Sequence, residues 1–315
     1  MFYSHSNLDR LDHLRADKTT IEQFWNKPGT RVVPLWQNKA LVEHLTADHP
    51  PAACSISVAE VPASASGRTF LGFDGTRHWF AVELAQDDPD LEKLLDASDH
   101  KAANSSYEDL RVVGPTLQSA DGALLVYARA INIWQNNSPF CPRCGQAAHL
   151  YNAGHMRVCS GSGCGYNIFP RTDPAVIMLV IDGNDSSRCL MGRNKAWPEG
   201  VFSTLAGFVE AGETLENAVA REVHEETGVV VSDVQYVASQ PWPFPRSIML
   251  GFKAIANTTE LKINADELDD ARWFNREELL TFGNWGEESE GLKLPRPDSI
   301  ARFLIDSWIN DPSAK

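Results

Sequence analysis

Residues 206–229 read AGFVEAGETLENAVAREVHEETGV. Glu222, Glu225 and Glu226 crowd into a single stretch of a helical pattern. Surface helices usually interleave signs, because like charges four residues apart repel by about a few tenths of a kcal/mol. At about 100° per residue, Glu226 lies about 40° to one side of Glu222 and Glu225 about 60° to the other. The three carboxylates then share one face and offer hard oxygen ligands of the kind that hold Mg²⁺ or Mn²⁺. A solvated acidic helix would explain the charge alone. It would not explain the glycines of the preceding GFVEAGE, nor Arg221 beside Glu222. Glu213, at the turn, is placed to pair with Arg221 and pin loop to helix.

Four of the six cysteines form a second constellation. FCPRCG supplies Cys141 and Cys144, and VCSGSGCG supplies Cys159 and Cys164. Two such turns can close a tetrahedron of thiolates around one Zn²⁺ per chain, and Gly145 and Gly165 suit tight knuckles. Four thiolates leave no open coordination position, so the expected role is structural. Cys54 and Cys189 stand alone and read as ordinary thiols. A third stretch, SQPWPFPRS over residues 239–247, is too proline-rich for a regular central strand. Its prolines would present Trp242 and Phe244 at low ordering cost, and flat rings suit a base or a nicotinamide. A stiffened loop with its aromatics in the core is the competing reading.

These groups need a scaffold. The glutamate helix is expected over 214–227, with Thr214 as N-cap, Gly228 beyond its end, and Leu215, Val219 and Val223 as the buried stripe. AVIMLVI, RCLMGR, VQYVAS and SIMLGFKAIA read as strands around it. A C-terminal helix starting near Pro297 and Asp298 should bury Ile300, Phe303, Leu304 and Trp308. Upstream, RVVPLWQNKALV and RTFLGFDGTRHWFAVEL read as strands broken by turns, with an Asp74-Gly75 hairpin signal. A helix follows, with apolar positions Ala123, Val126, Tyr127, Ala130, Ile131 and Trp134. Residues 1 to about 130 carry no chemical signature. The expected organisation is α/β: an N-terminal α+β domain over 1–135, a zinc ribbon over 136–170 and a catalytic domain over 171–315.

The net charge of −14 argues against uniform attraction to nucleic acid or anionic membranes. No apolar stretch is long enough to span a bilayer, and the first residues lack an apolar signal core, so a cytoplasmic location is expected.

The spacing of Gly207, Glu213 and Arg221-Glu222-Val223-His224-Glu225-Glu226-Thr227-Gly228-Val229 matches the Nudix box at every specified position. The chain resembles a Nudix hydrolase, which implies a mixed sheet sandwiched by helices. The four-cysteine ribbon before the box and SQPWPFPRS after it resemble, more narrowly, the NADH pyrophosphatase family, also known as NAD-capped RNA hydrolases. That resemblance spans about residues 105–310. It implies cleavage of the pyrophosphate of NAD(H) to nicotinamide mononucleotide and AMP, homodimers and, in some members, removal of the NAD cap from RNA.

By resemblance, Glu222 and Glu226 bind divalent metal, with the Ala206 carbonyl and Glu267 as further ligands. Glu225 assists or activates water, while Glu213 and Arg221 complete the catalytic set. Substrate contacts are expected from Phe169 (in YNIFPR), Phe208, Gln240, Pro241, Trp242, Pro243, Phe244, Pro245, Arg246, Ser247, Arg111 and Ala301. Glu267 lies among Asp266, Asp269 and Asp270, which a solvated acidic turn would also explain. The wide Cys159–Cys164 gap departs from the usual ribbon spacing. A rival is a non-catalytic Nudix-fold sensor whose ribbon binds nucleic acid, but such a protein would be expected to lose box carboxylates, and all four glutamates are present.

Overall fold

The computed structural model describes residues 3, 6–44, 49–87, 104–288 and 290–311. They divide into two compact units. One takes residues 173–242 and 247–311. The other takes the described residues up to 172, together with the short segment Pro243–Arg246.

The unit beginning at Asp173 is built on a six-stranded sheet. Strand Asp173–Asp182 lies at its centre, parallel to Ser247–Ala256 and antiparallel to Arg188–Asn194. Strand Val231–Trp242 forms one edge and Leu268–Asn275 the other, and Leu205–Phe208 pairs with the central strand. Side chains alternate across a strand, and the central one feeds two cores accordingly. Val176, Met178 and Val180 pack with Ala218, Val219 and Val223 of helix Leu215–Thr227. Ile177, Leu179 and Ile181 pack with Ile300, Leu304 and Trp308 of helix Ile300–Ile309. The result is the mixed sheet sandwiched by helices.

Two expectations need correcting here. Phe303 is 38% exposed on the last helix, not buried with its neighbours; that helix is capped by Ser299, and Pro297 lies in the preceding turn. The stretch SQPWPFPRS is not all loop. Ser239 to Trp242 complete the strand Val231–Trp242, with Pro241 opposite Ile248. The strand is at the sheet edge, where a proline's missing N–H breaks no ladder on the open side.

The other unit holds a seven-stranded sheet with one parallel pair, Arg31–Trp36 beside His78–Glu83. Ile21, Val32, Ile56, Phe70 and Phe80 form its core. Strands Ser66–Phe73 and His78–Glu83 make the expected hairpin around Gly75, whose φ of +94° suits glycine. Helix Ser119–Asn137 packs on the sheet. A small three-stranded sheet, Ala148–Tyr151, Met156–Cys159 and Asn167–Ile168, carries the cysteine turns. Cys54 and Cys189 are both buried, and burial pushes their thiols up to about 11 and about 12.

Candidate active site and zinc centre

Strand Leu205–Phe208 hands the chain to a tight loop, and the loop to helix Leu215–Thr227. The Thr214 hydroxyl accepts from the Asn217 N–H at 3.3 Å and starts the helix. Gly228 ends it with φ +72°, and its N–H reaches the His224 carbonyl at 2.8 Å. Between these caps the helix must bury Val219 and Val223, which fixes its rotation. Glu222 and Glu226 therefore turn inward to 9% and 8% exposure.

Arg221 is the anchor of this corner. Its Nε and Nη2 donate to the two oxygens of Glu213 at 2.8 and 2.9 Å, a bidentate pair. Its Nη1 reaches Glu222 at 2.9 Å and Glu225 at 3.0 Å, and Nη2 also donates to the Phe208 carbonyl at 2.9 Å. The guanidinium holds the Glu213 carboxyl down at about 2. The loop–helix pairing anticipated from the sequence is thus present.

The carboxylates group differently from the face read off the helix alone. Glu222 and Glu226 are joined by Glu267, and one oxygen from each lies within 4.8 Å of the others. Glu225 is half-exposed and turned to Arg221. Burial, with the negative charges of Glu222 and Glu267 alongside, pushes Glu226 up to about 8. Glu222 is raised by burial too, against the pull of Arg221. One oxygen of Glu226 is buried without a hydrogen-bond partner. Three converging carboxylates, one with an orphan oxygen, fit a hard divalent cation with oxygen ligands. The residues line a cavity of about 490 Å³ together with Ala206, Gly207 and Phe208.

Two contributors were not assigned these roles from the sequence. Gly207 is not a turn residue. A Cβ there would come within 1.8 Å of the Glu222 carboxyl carbon, so only glycine lets Glu222 lie against the strand. Asn264 fixes Glu267: its N–H donates to the Glu226 carbonyl at 2.9 Å, its side-chain amide reaches Glu267 at 3.2 Å, and its Oδ1 accepts from the Asp266 N–H at 3.1 Å. The readable signal was the Asn-x-Asp turn inside NADELDD.

The expected substrate contacts fall in several settings. Phe208 and Phe169 are both 61% exposed. Trp242 and Ser247 face each other in register at the end of the strand pair, with Pro241 within the edge strand. Pro243, Phe244, Pro245 and Arg246 form the turn between them. Two guanidiniums lie over the Phe244 ring, Arg111 at 5.5 Å and Arg129 at 4.9 Å from its centre. Arg129, a buried residue not singled out from the sequence, also donates to the Pro243 carbonyl, and to Asn38 O at 3.2 Å. Gln240 is fully buried, its amide occupied by the Asp298 carbonyl at 2.7 Å and the Ile300 N–H at 2.8 Å. Ala301 is buried at 4%.

The four ribbon thiols also lie within 4.8 Å of one another, with Cys141–Cys164 at 3.9 Å and Cys144–Cys159 at 3.3 Å. Zn–S bonds of about 2.3 Å in a tetrahedron put sulfurs about 3.8 Å apart, so the cluster fits zinc. Backbone N–H groups of Arg143 and Gly161 point at Cys141 and Cys159 at 3.4 and 3.2 Å. Within the wide second gap Gly163 takes a positive φ, as does Gly165 just after Cys164.

Residues 171–293 match the NUDIX domain, residues 136–169 the NADH pyrophosphatase zinc ribbon domain, and residues 29–134 the NADH pyrophosphatase-like rudimentary NUDIX domain. Fold and box together define a Nudix-type protein with a structural zinc ribbon. Among curated relatives, NAD-capped RNA hydrolase NudC of Mycobacterium bovis is 39% identical over 312 residues, 97% of this chain and 93% of that protein. NudC of Mycobacterium tuberculosis is 38% identical over the same length. NAD-capped RNA hydrolase NUDT12 of Homo sapiens is 40% identical over 245 residues, 75% of this chain. The chain spans about half the length of that human relative, 51%. The chain belongs to the NADH pyrophosphatase family of Nudix proteins, the NAD-capped RNA hydrolases. The match over 29–134 supplies a kinship for the segment that was silent in the sequence.

Proposed function

We propose that this protein hydrolyses the pyrophosphate of NAD(H) to nicotinamide mononucleotide and AMP, and by the same reaction removes NAD caps from RNA 5′ ends. The observation that carries the reading is the convergence of Glu222, Glu226 and Glu267 on one point, with a buried oxygen of Glu226 unpartnered. These carboxylates and the Ala206 carbonyl would hold Mg²⁺ or Mn²⁺. Such ions, when bound, neutralise a pyrophosphate and lower the pKa of bound water.

The chain's own residues do the rest. Glu213 fixes Arg221, and Arg221 fixes the Glu222 carboxylate, so the ligand set is held in place before substrate arrives. Glu225, half-exposed beside Arg221, stands outside the converging group and is the carboxylate this reading assigns to assisting or activating water. Phe208 offers an exposed ring at the cavity. Phe169 and the aromatics of the 239–247 motif are assigned to binding flat rings of the substrate, with Arg111 and Arg246 alongside. Gln240 and Ala301 belong to the same substrate-binding set by resemblance, and both are buried. The family resemblance also implies a homodimer, and the cytoplasmic location expected from the sequence is kept as part of this reading. Among the described residues no helix is long and apolar enough to cross a membrane.

The test is hydrolysis of NADH, NAD⁺ and NAD-capped RNA by the purified protein, side by side, with Mg²⁺ and with Mn²⁺. The expected products are the mononucleotide and AMP, or RNA with a 5′-monophosphate. Failure on all three substrates with either metal would favour the sensor reading.

A further inference from the structure

The unit that lacks the glutamate helix has a cavity of its own, about 220 Å³, far in chemistry from the acidic one. Its charged lining is Arg15, Lys18, Arg68 and Glu22. Arg68 and Glu22 form an ion pair and compensate each other. Arg15 and Lys18 pair with no carboxylate among the described residues. Arg15 donates from Nη2 to the Arg10 carbonyl and the Tyr127 hydroxyl, both at 3.2 Å, while its buried Nε has no partner. Lys18 lies over the ring of Tyr151, at 5.4 Å. The adjacent carboxylate, Asp17, is occupied by the Thr19 and Thr20 N–H groups and the Thr20 hydroxyl. In a chain of net charge −14, two cations without a carboxylate partner make this concavity locally positive and attractive to an anion.

The rest of the lining is apolar or rigid. Ile21, Phe70 and Phe80 form a floor that is otherwise buried. The rim is the turn Asn152-Ala153-Gly154, all three at positive φ. It is anchored from below: the Gly154 carbonyl accepts from the Gln135 amide at 2.8 Å, and a Cβ on Gly154 would meet Thr69 Oγ1 at 2.4 Å. The volume is below the range of roughly 300–1,000 Å³ that accommodates drug-sized ligands, so a whole dinucleotide does not fit.

We infer that this cavity binds a phosphorylated pentose, alone or as the end unit of a nucleotide or RNA. The phosphate meets the positive charge of the Arg15 guanidinium, whose Nη1 takes no part in the bonds to Arg10 and Tyr127, and of Lys18. The sugar lies over the apolar floor. A carboxylate ligand would answer one of the two cations, whereas a phosphate monoester brings a charge near −2.

The test is calorimetric titration of the full-length, zinc-loaded protein with no added Mg²⁺ or Mn²⁺, using ribose 5-phosphate, AMP, a short 5′-phosphorylated oligoribonucleotide, inorganic phosphate and ribose. Leaving out the hard divalent cations separates this site from the acidic one while keeping the ribbon intact, so the outcome does not depend on the proposed hydrolysis. Ribose 5-phosphate should bind at one site per chain and ribose should not; tighter binding of AMP or of the oligoribonucleotide identifies which source the site prefers. Arg15→Gln and Lys18→Gln should each weaken binding roughly ten- to a hundredfold, as loss of a charged hydrogen bond does. Should Arg15→Gln fail to fold, Lys18→Gln, at an exposed position, carries the same expectation. No binding, binding unchanged in the folded variants, or inorganic phosphate binding as tightly as the sugar phosphate would each overturn the inference.

Discussion

In the unit around Asp173–Asp182, a helix packed on a mixed sheet carries buried Glu222 and Glu226. In the unit around Arg31–Trp36, helix Ser119–Asn137 packs on another mixed sheet with a single parallel pair, and its buried polar groups are Arg129, Asn132 and Gln135. Those groups are used inward. Arg129 ties Asn38 to Pro243, Asn132 donates to Glu83, and Gln135 bonds Thr69 at 2.7 Å and Gly154. In helix Leu215–Thr227 the equivalent chemical resource stays open: Glu226 keeps an oxygen without a partner. Similar scaffolds thus spend buried polarity in two ways, on internal bonds or on a site that awaits a ligand. Helix Ser119–Asn137 is held as scaffold, whereas helix Leu215–Thr227 presents its buried polarity to a cavity.

The sharpest way to break that contrast is Glu226→Gln. It removes one charge at constant shape from the converging carboxylates. Turnover should fall on the order of a thousandfold, since several kcal/mol of transition-state stabilisation are at stake at about 1.4 kcal/mol per decade. The melting temperature without metal should hold or rise, because a charge disfavoured by burial is gone. A variant retaining more than about a tenth of wild-type activity would remove Glu226 from the metal set.

Cys141→Ser should come next in effect, and it acts on the other unit. Metal analysis of the wild type should give about one zinc per chain, as one four-thiolate site holds one ion. The variant should lose it and unfold at lower temperature. Wild-type protein free of zinc, with all four thiols titrating in the native state, would refute the ribbon.

Trp242→Ala and Phe244→Ala address specificity. A stacked ring is worth about 1–3 kcal/mol, so kcat/KM for NADH should drop about five- to 150-fold with little change in melting. If ADP-ribose, which lacks nicotinamide, loses less, the ring in question reads nicotinamide. Loss of stability without loss of kcat/KM would make the aromatics scaffold, like the polar groups of helix Ser119–Asn137. Gln135→Ala is the matching test there. It strands a hydroxyl and a carbonyl, costing about 1–3 kcal/mol of stability, and activity per folded molecule should be unchanged.

The smallest expected effect is a difference in acid sensitivity. His155 donates from Nε2 to the Phe70 carbonyl at 2.8 Å. Burial, with Arg15 and Arg10 nearby, holds it down at about 4 from an ordinary 6.5. Its contribution is therefore full above pH 6.5 and lost as pH falls towards 4. Glu213 is held at about 2 from an ordinary 4.5, so its pairing with Arg221 persists to lower pH and weakens only between those values. Hydrogen exchange should show strand Met156–Cys159 losing protection before helix Leu215–Thr227 as pH drops from 7 to 4.5. Simultaneous loss would contradict the assignment.

The sequence made local features legible and left long-range ones hidden. Thr214 and Gly228 bounded the glutamate helix because caps are a property of adjacent residues. The cysteine pairs and the Asp74-Gly75 hairpin were readable for the same reason. Glu267 was reached only through family likeness, since nothing near it in sequence says that it meets Glu222. Gly207 was one glycine among those of GFVEAGE, and only the approach of the Glu222 carboxyl, a contact across 15 residues, gives its reason. Phe303 followed the helical period yet stays exposed, because the sheet covers only the face of Ile300, Leu304 and Trp308. Gln240 lay inside a motif read as substrate contact, while its partners Asp298 and Ile300 come from a distant helix start.

The central claim is that Glu222, Glu226 and Glu267 converge to hold divalent cation. Anomalous diffraction from crystals of the protein grown with Mn²⁺ tests it most directly. The account predicts a manganese peak within bonding distance of oxygens from all three carboxylates, and its loss or weakening in Glu226→Gln crystals. Density with no peak there at saturating Mn²⁺, or a peak coordinated by Glu225 with Glu267 turned away, would contradict it.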